Sequence, residues 1–353
     1  SVEDLYQELS LLDDDELDRR TPALMGSYPN TYTYSKAMAE WLLTKRRGTT
    51  SFVIVRPTII AAAAFEPFPG WTDSSNAVGA VMLFTSVGVL RSLLAIPVIR
   101  PDMVPVDYVV RAIVVSVPCI SNRDSLKIVH AGMRDDNFTW HHLEIWALEY
   151  WHHYPVERSV ARAHCKLIPS YSHFMVDFFV KYRVPLALLG LFTKLFPTES
   201  RKKQYAQLSK VVTGIAKNTE TFSHFTSNEW KFDDTELKAL VATMSQEDIH
   251  RLRFDKVLNM REYAYNFAYG LPKYLLKDTQ MTPPDKLMDS DHTQAMANAS
   301  VQQDVRETEL LRYFDTLLLF APPALWLAGE SFIKAWRPTL HAIPSPRITV
   351  VNG

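Results

Sequence analysis

The sequence predicts an α/β chain: a parallel-sheet unit over residues 1–131, then a mainly helical unit over 132–278. Three observations carry this. Two apolar, β-branched runs of strand length, Ser51-Phe52-Val53-Ile54-Val55-Arg56 and Leu126-Lys127-Ile128-Val129-His130-Ala131, alternate with helical patterns, the rhythm that builds a parallel sheet. Beyond about residue 132 that rhythm gives way to helical segments rich in aromatics and leucine. The 353 residues, 47% of them hydrophobic, suffice for more than one core.

The elements follow in order. Asp13-Asp14-Asp15-Glu16 lies among Leu11, Leu12 and Leu17, which predicts one short surface helix in residues 1–28 with the acidic run as its solvated face. Residues 31–47 read as a strong helix: Tyr34, Ala37, Met38, Trp41, Leu42 and Thr44 line one side, Lys45, Arg46 and Arg47 suit the negative end of its dipole, and Gly48 stops it. The strand 51–56 is closed by Pro57. Residues 66–79 form a loop that begins Glu66-Pro67-Phe68-Pro69-Gly70-Trp71, and 80–96 read as one apolar helix. A helix over 107–117 starts at Asp107, expected as its N-cap after Pro105. Residues 279–308 are a polar linker, and 309–353 an apolar tail suited to docking on a partner or a membrane. No internal repeat is evident.

Composition excludes several classes. A formal net charge of −1 argues against a nucleic-acid binder. Two cysteines, Cys119 and Cys165, cannot form a disulfide framework and read as buried thiols. The start Ser1-Val2-Glu3-Asp4 lacks the basic and apolar stretches of a signal peptide. It also lacks an initiator Met, which fits a processed product or one piece of a split protein. Neither Leu317 to Trp336 nor Phe174 to Phe196 offers the roughly 20 uninterrupted apolar residues of a membrane span, because each holds prolines or charges. Interfacial seating, burial against another subunit or ordinary core packing is expected instead. The 11 glycines never fall close enough for a G-x-G-x-x-G turn, so the backbone cradle for a dinucleotide pyrophosphate is missing in its usual form.

One pattern points to chemistry. Tyr32 and Lys36, in Tyr32-Thr33-Tyr34-Ser35-Lys36, are four apart at the start of a helix and share a face. In such a pair the ammonium eases proton loss from the phenol, which hands a proton to a carbonyl oxygen as hydride arrives. The lysine can also hold a ribose hydroxyl.

The segment Pro29-Asn30-Thr31-Tyr32-Thr33-Tyr34-Ser35-Lys36-Ala37-Met38-Ala39-Glu40 closely resembles the active-site helix of fatty acyl-CoA reductases, extended members of the short-chain dehydrogenase/reductase class. Further segments agree in the family's order: Val55-Arg56-Pro57-Thr58-Ile59, Glu66-Pro67-Phe68-Pro69-Gly70-Trp71-Thr72-Asp73, Val104-Pro105-Val106-Asp107, Asn228-Glu229-Trp230-Lys231-Phe232-Asp233 and Tyr274-Leu275-Leu276-Lys277. The resemblance spans about residues 11–278. It implies the second half of a Rossmann-type domain (1–131), a helical reductase C-terminal domain (132–278), and NADPH-dependent reduction of a long-chain acyl-CoA to a fatty alcohol through an aldehyde. By the same resemblance Tyr32 is the general acid and Lys36 its partner. Arg56, Pro57 and Thr58 lie beside the nicotinamide, and Glu66, Pro67, Phe68, Pro69, Gly70 and Trp71 help wall the acyl-CoA site.

The departures define a second reading. In the family a glycine-rich loop and a catalytic Ser or Thr precede the tyrosine, and this sequence begins after both; Ser1, Ser10 and Thr21 do not stand in the serine's context. A Gly-Pro-Thr-Gly-like stretch is altered to Asn76-Ala77-Val78-Gly79. Half a sheet exposes strand edges, so a protein partner supplying the missing half is expected. The alternative is an inactive, reductase-derived accessory subunit of a membrane-bound organellar complex; peroxisome, ER and mitochondrion are not distinguished. In one aromatic helix, His142, Glu149 and His153 could share a metal ion, yet the bland reading, a partly exposed face against Trp140, Trp146 and Trp151, weighs more, and no metal is expected. No G-x-S-x-G or P-loop pattern occurs. Arg201-Lys202-Lys203 could meet lipid headgroups or CoA phosphates, although a solvated helix end is the plainer reading.

Overall fold

In the computed structural model, which describes residues 2–285 apart from 76, 119–125, 134–136 and 158, together with 348–351, the two predicted strands lie side by side. The chain reaches them through three helices. The stretch expected as one surface helix forms two, α1 (Val2–Ser10) and α2 (Asp14–Met25). The acidic run explains the break: the Asp13 carboxylate accepts the Glu16 N–H at 2.8 Å, and Asp14, Asp15 and Glu16 fill the first turn of α2, where the helix dipole favours anions. In α3 (Thr31–Arg46) the Asn30 side chain accepts the Thr33 N–H at 2.9 Å, and Gly48, at φ +57°, turns the chain out of the helix.

Next come β1 (Phe52–Pro57), β2 (Ile59–Ala61), α4 (Val78–Ser86), β3 (Ser92–Leu94), β4 (Met103–Pro105), α5 (Val106–Ser116) and β5 (Leu126–Ala131). Strand β1 pairs with β5 in parallel, Phe52 opposite Leu126 and Pro57 opposite Ala131. Strand β2 pairs in parallel with β4. The apolar run 80–96 is not the single helix expected. It breaks after Ser86 and turns at Gly88, whose φ is +76°. A Cβ there would stand 2.2 Å from the Ala161 carbonyl oxygen. The chain then extends because Leu90 to Ala95 are buried throughout, an environment that suits a covered strand as well as a helix.

The remaining chain is mainly helical: α6 (Trp140–His153), β6 (Lys166–Ile168), α7 (Tyr171–Phe178), a π turn (Phe179–Arg183), α8 (Val184–Leu195), α9 (Glu199–Thr226), β7 (Glu229–Phe232), α10 (Thr235–Ala242), α11 (Gln246–Arg251), α12 (Met260–Gly270) and a second π turn (Leu271–Leu275). Strand β3 pairs in parallel with β6, and β7 with β8 (Ile348–Val351). The largest core draws on both halves of the chain, joining Ala61, Met82 and Met103 to Trp151, Tyr263 and Phe267. Helix α12 sits at its centre, and the Trp151 indole donates to the Ala268 carbonyl at 3.0 Å. Cys165 is free and buried, as a core thiol should be. Cys119, Asn76, most of the polar linker and the apolar segment Leu317 to Trp336 lie outside the described residues. Among the described residues no helix is long and apolar enough to cross a membrane.

Candidate functional site

Helix α3 presents Tyr32 and Lys36, the two residues expected to act as an acid–base pair. Tyr32 is its second residue and is 58% exposed. One turn on, the Lys36 ammonium stands 5.7 Å from the centre of the Tyr32 ring, the shared face that the spacing implied. Among the described side chains of α3 none is fully buried, and Trp41 and Leu43 are exposed as well. The helix is tied to β1 by Glu40. Its carboxylate takes Arg56 in a two-pronged pair, Nε to Oε1 at 3.1 Å and Nη2 to Oε2 at 2.7 Å. The guanidinium of Arg56, expected beside a nicotinamide, is thus committed to the helix, and this fork fixes α3 on the strand.

The C-terminal ends of β1 and β5 converge on Thr58. Its N–H donates to the Ala131 carbonyl at 3.1 Å, while its buried hydroxyl has no hydrogen-bond partner among the described residues. Pro57 stands opposite Ala131. Gly132 is crowded: a Cβ there would lie 3.0 Å from Asp102 Oδ2 and 3.1 Å from Thr58 Cγ2. Asp102 stitches this corner, its carboxylate accepting the Met133 N–H at 3.0 Å and its carbonyl the Ile59 N–H at 3.0 Å. In open parallel sheets ligands bind outside the carboxyl ends of the strands, and a buried hydroxyl left unpaired there is costly until something bonds it. Beside it, His130 Nδ1 bonds the Asp233 carbonyl at 3.0 Å.

The loop Glu66 to Trp71 is held from both sides. Asp107 is not the N-cap expected of it: α5 starts at Val106, and Pro105 before it makes no side-chain cap. Its carboxylate turns instead to the loop and accepts the N–H groups of Ala64, Phe65 and Glu66 at 2.9, 3.1 and 3.3 Å. Arg111 pairs with the buried Asp107 at 3.1 Å and donates to the Leu252 carbonyl at 2.8 Å, reaching the helical half. Glu66 pairs with Arg253 at 3.5 Å, and Phe68 packs on Tyr274 with ring centres 5.2 Å apart. Burial pushes the Tyr274 phenol up to about 12. On the far side, Gly70 (φ +79°) lies on the backbone of α12. The Tyr263 hydroxyl donates to the Ala62 carbonyl at 2.7 Å.

The histidine-rich helix α6 is dispersed rather than convergent. His142 serves the cap with Thr139 and stacks on Trp146. Glu149 accepts from Arg261 at 3.1 Å and from the Tyr265 hydroxyl at 2.6 Å. His153 bonds the Glu149 carbonyl at 2.9 Å. His141 bonds Glu144 at 3.3 Å, and that hydrogen bond raises its pKa. Among the described residues no group of three or more potential ligands could hold a metal ion.

Glu40, Asp102, Asp107 and Arg111 are site-supporting residues that sequence reasoning missed. Each acts on residues 16 or more positions away, where no local spacing signals it. For Asp107 the local signal misled, since an acidic residue two after a proline reads as a cap.

Two family models, both described as "Male sterility protein", match residues 1–113 and 181–278. The chain is 29% identical over 280 residues to a mouse protein named fatty acyl-CoA reductase 2, covering 78% of this chain and 53% of that one. It is 27% identical over 278 residues to the human fatty acyl-CoA reductase 2 and to the Xenopus laevis fatty acyl-CoA reductase 1, with the same coverage. The chain thus spans about half the length of the curated relatives it matches.

Proposed function

Because the chain belongs to the fatty acyl-CoA reductase family, we propose that it carries the acid–base and substrate-facing part of an NADPH-dependent reductase that turns a long-chain acyl-CoA into a fatty alcohol. The observation that carries this is the Tyr32–Lys36 pair on α3, held to β1 through Glu40 and Arg56. The nicotinamide, when bound, supplies hydride. Tyr32 gives its phenolic proton to the carbonyl oxygen that hydride addition makes basic, and the Lys36 ammonium stabilises the phenolate left behind. The residues present fit the nicotinamide end of the cofactor: the buried, unpartnered Thr58 hydroxyl at the strand ends suits a carboxamide. They do not supply a pyrophosphate cradle, since the 11 glycines of the sequence are too far apart to form one. A segment on another polypeptide or beyond this sequence would hold the phosphates and complete a Rossmann-type sheet beside β1. The loop Glu66 to Trp71, clamped between Asp107 and α12, walls the acyl-CoA site in this reading.

The exposure of Tyr32 and the lack of any fully buried residue among the described side chains of α3 favour a second reading, an accessory subunit at an organelle membrane that keeps the motif without the reaction. NADPH titration of the protein purified from its source with tight partners retained, followed by energy transfer from tryptophan, separates the two. Saturable binding that Tyr32→Phe with Lys36→Ala weakens supports the reductase. No binding at millimolar NADPH leaves the accessory subunit.

A further inference from the structure

We propose that the outward face of the helix running without a break from Tyr171 to Leu195, with the basic turn that follows it, is a seat for an anionic lipid surface. The inward face is ordinary core: Phe174, Phe178, Tyr182 and Leu186 are buried. The outward face is the anomaly. Val176, Val180, Leu191 and Leu195 are 66%, 41%, 42% and 64% exposed, and Phe196 just beyond is 57% exposed. A helix at the surface of a soluble core normally turns charged and polar residues to water. Here two charges of α7 and the π turn are drawn inward instead, Asp177 pairing with the buried Lys181 at 2.8 Å. A four-residue spacing drifts on a helix of 3.6 residues per turn. The wider turn at Phe179–Arg183 offsets that drift, so the apolar line keeps to one side along the whole length.

Charge identifies the occupant. Between residues 171 and 203 stand six cations, Lys181, Arg183, Lys194, Arg201, Lys202 and Lys203, against two carboxylates, Asp177 and Glu199, a local excess of four in a chain whose net charge is −1. Arg201 lies over the Phe192 ring at 4.9 Å and donates to the Phe196 carbonyl at 2.8 Å, so its cation is seated on the apolar end of the stripe. Exposed apolar residues bordered by Lys and Arg are the makeup of helices that lie in a bilayer interface, with basic residues drawn to anionic headgroups. This seat needs no spanning helix and is independent of whether the chain catalyses reduction.

Vesicle flotation of the whole chain tests it, comparing phosphatidylcholine vesicles with vesicles holding about 30 mol% phosphatidylserine at low salt. Flotation with the anionic vesicles, weakened by salt, is expected. Leu191→Asp with Leu195→Asp should lower the floated fraction about tenfold with an unchanged melting curve, because both side chains already face water. Lys202→Glu with Lys203→Glu, at exposed positions where Lys202 now pairs with Glu199 at 2.8 Å, should abolish the preference for phosphatidylserine. Equal flotation of the variants, or none by the parent protein at either composition, would overturn the proposal. So would a dimer in sedimentation velocity that the leucine variant dissociates while lipid binding persists, since the stripe would then belong to a second copy.

Discussion

Gly70 and Gly270 meet backbone to backbone. A Cβ built on Gly270 would fall 1.7 Å from the Gly70 carbonyl oxygen, and one on Gly70 would fall 2.1 Å from that of Asn266. The contact seats the Glu66–Trp71 loop directly on α12, with no side chain between them. Only glycine permits it at both positions, and at Gly70 the φ of +79° adds a second reason. Either alanine substitution should destabilise the protein by more than about 3 kcal/mol, read as a fall in denaturant midpoint. Gly214, inside α9 with nothing within 4 Å of the place a methyl group would take, is the control: Gly214→Ala should stabilise by about 0.5–1 kcal/mol. Equal effects at the three sites would remove the close approach as the cause.

Asp107 is the other half of the clamp. Its carboxylate accepts three backbone N–H groups and faces the buried Arg111. Asp107→Asn keeps the volume but replaces one acceptor oxygen by a donor and leaves the guanidinium without its counter-charge. A loss of about 3 kcal/mol is expected, with faster hydrogen exchange at Ala64, Phe65 and Glu66. Unchanged exchange at those amides would show that the carboxylate does not hold the loop.

These two clamps also mark where sequence reading stopped. The β1–β5 pair was legible because both runs are β-branched, apolar and of one strand's length. The end of α3 was legible because its basic last turn and Gly48 are local signals, while the Asn30 cap at its start emerged only in the structure. The loop at Glu66–Trp71 announced itself by its prolines and glycine. The turn at Gly88 did not, because the apolar run around it is largely buried and carries no periodicity that separates strand from helix. The Tyr32–Lys36 pair could be read from a four-residue spacing. The corner of Thr58, Asp102 and Gly132 could not, since its members are brought together only by the pairing of strands far apart in sequence.

Cys165 tests the core beside β3. Burial pushes its thiol up to about 12, so almost none is thiolate at pH 8, and only the thiolate reacts. In a Cys119→Ser background, Cys165 should resist a thiol-specific alkylating reagent until denaturant opens the chain. The linkage has a definite sign. The unfolded thiol ionises first as pH rises, so the folded state holds the extra proton, and stability falls from about pH 9 upward. Cys165→Ala in the same background should flatten that part of the pH–stability curve. Rapid labelling of the folded protein at pH 8 would contradict the buried placement.

Chemistry and positioning on α3 can be separated by comparing Tyr32 with Glu40. The phenol would act on the reacting carbonyl, whereas Glu40 acts only through Arg56. Both partners of that ion pair are about a third exposed, 34% and 32%, so its contribution to stability is about 1 kcal/mol at most and weakens with salt. On the reductase reading, Glu40→Gln should therefore leave the fold intact and reduce acyl-CoA reduction by the complete enzyme about tenfold or less, a loss that shrinks as salt screens the pair in the parent protein. Tyr32→Phe should leave the denaturation midpoint unchanged, because the exposed hydroxyl donates no described hydrogen bond, yet reduce turnover by about 10²–10⁴. Lys36→Arg, which keeps the cation, should retain more activity than Lys36→Ala, which removes it. If Tyr32→Phe and Glu40→Gln lose activity equally, Tyr32 serves the architecture of α3 and the proton comes from another group. If Tyr32→Phe leaves turnover unchanged, the helix carries an inherited motif and the reaction does not pass through it.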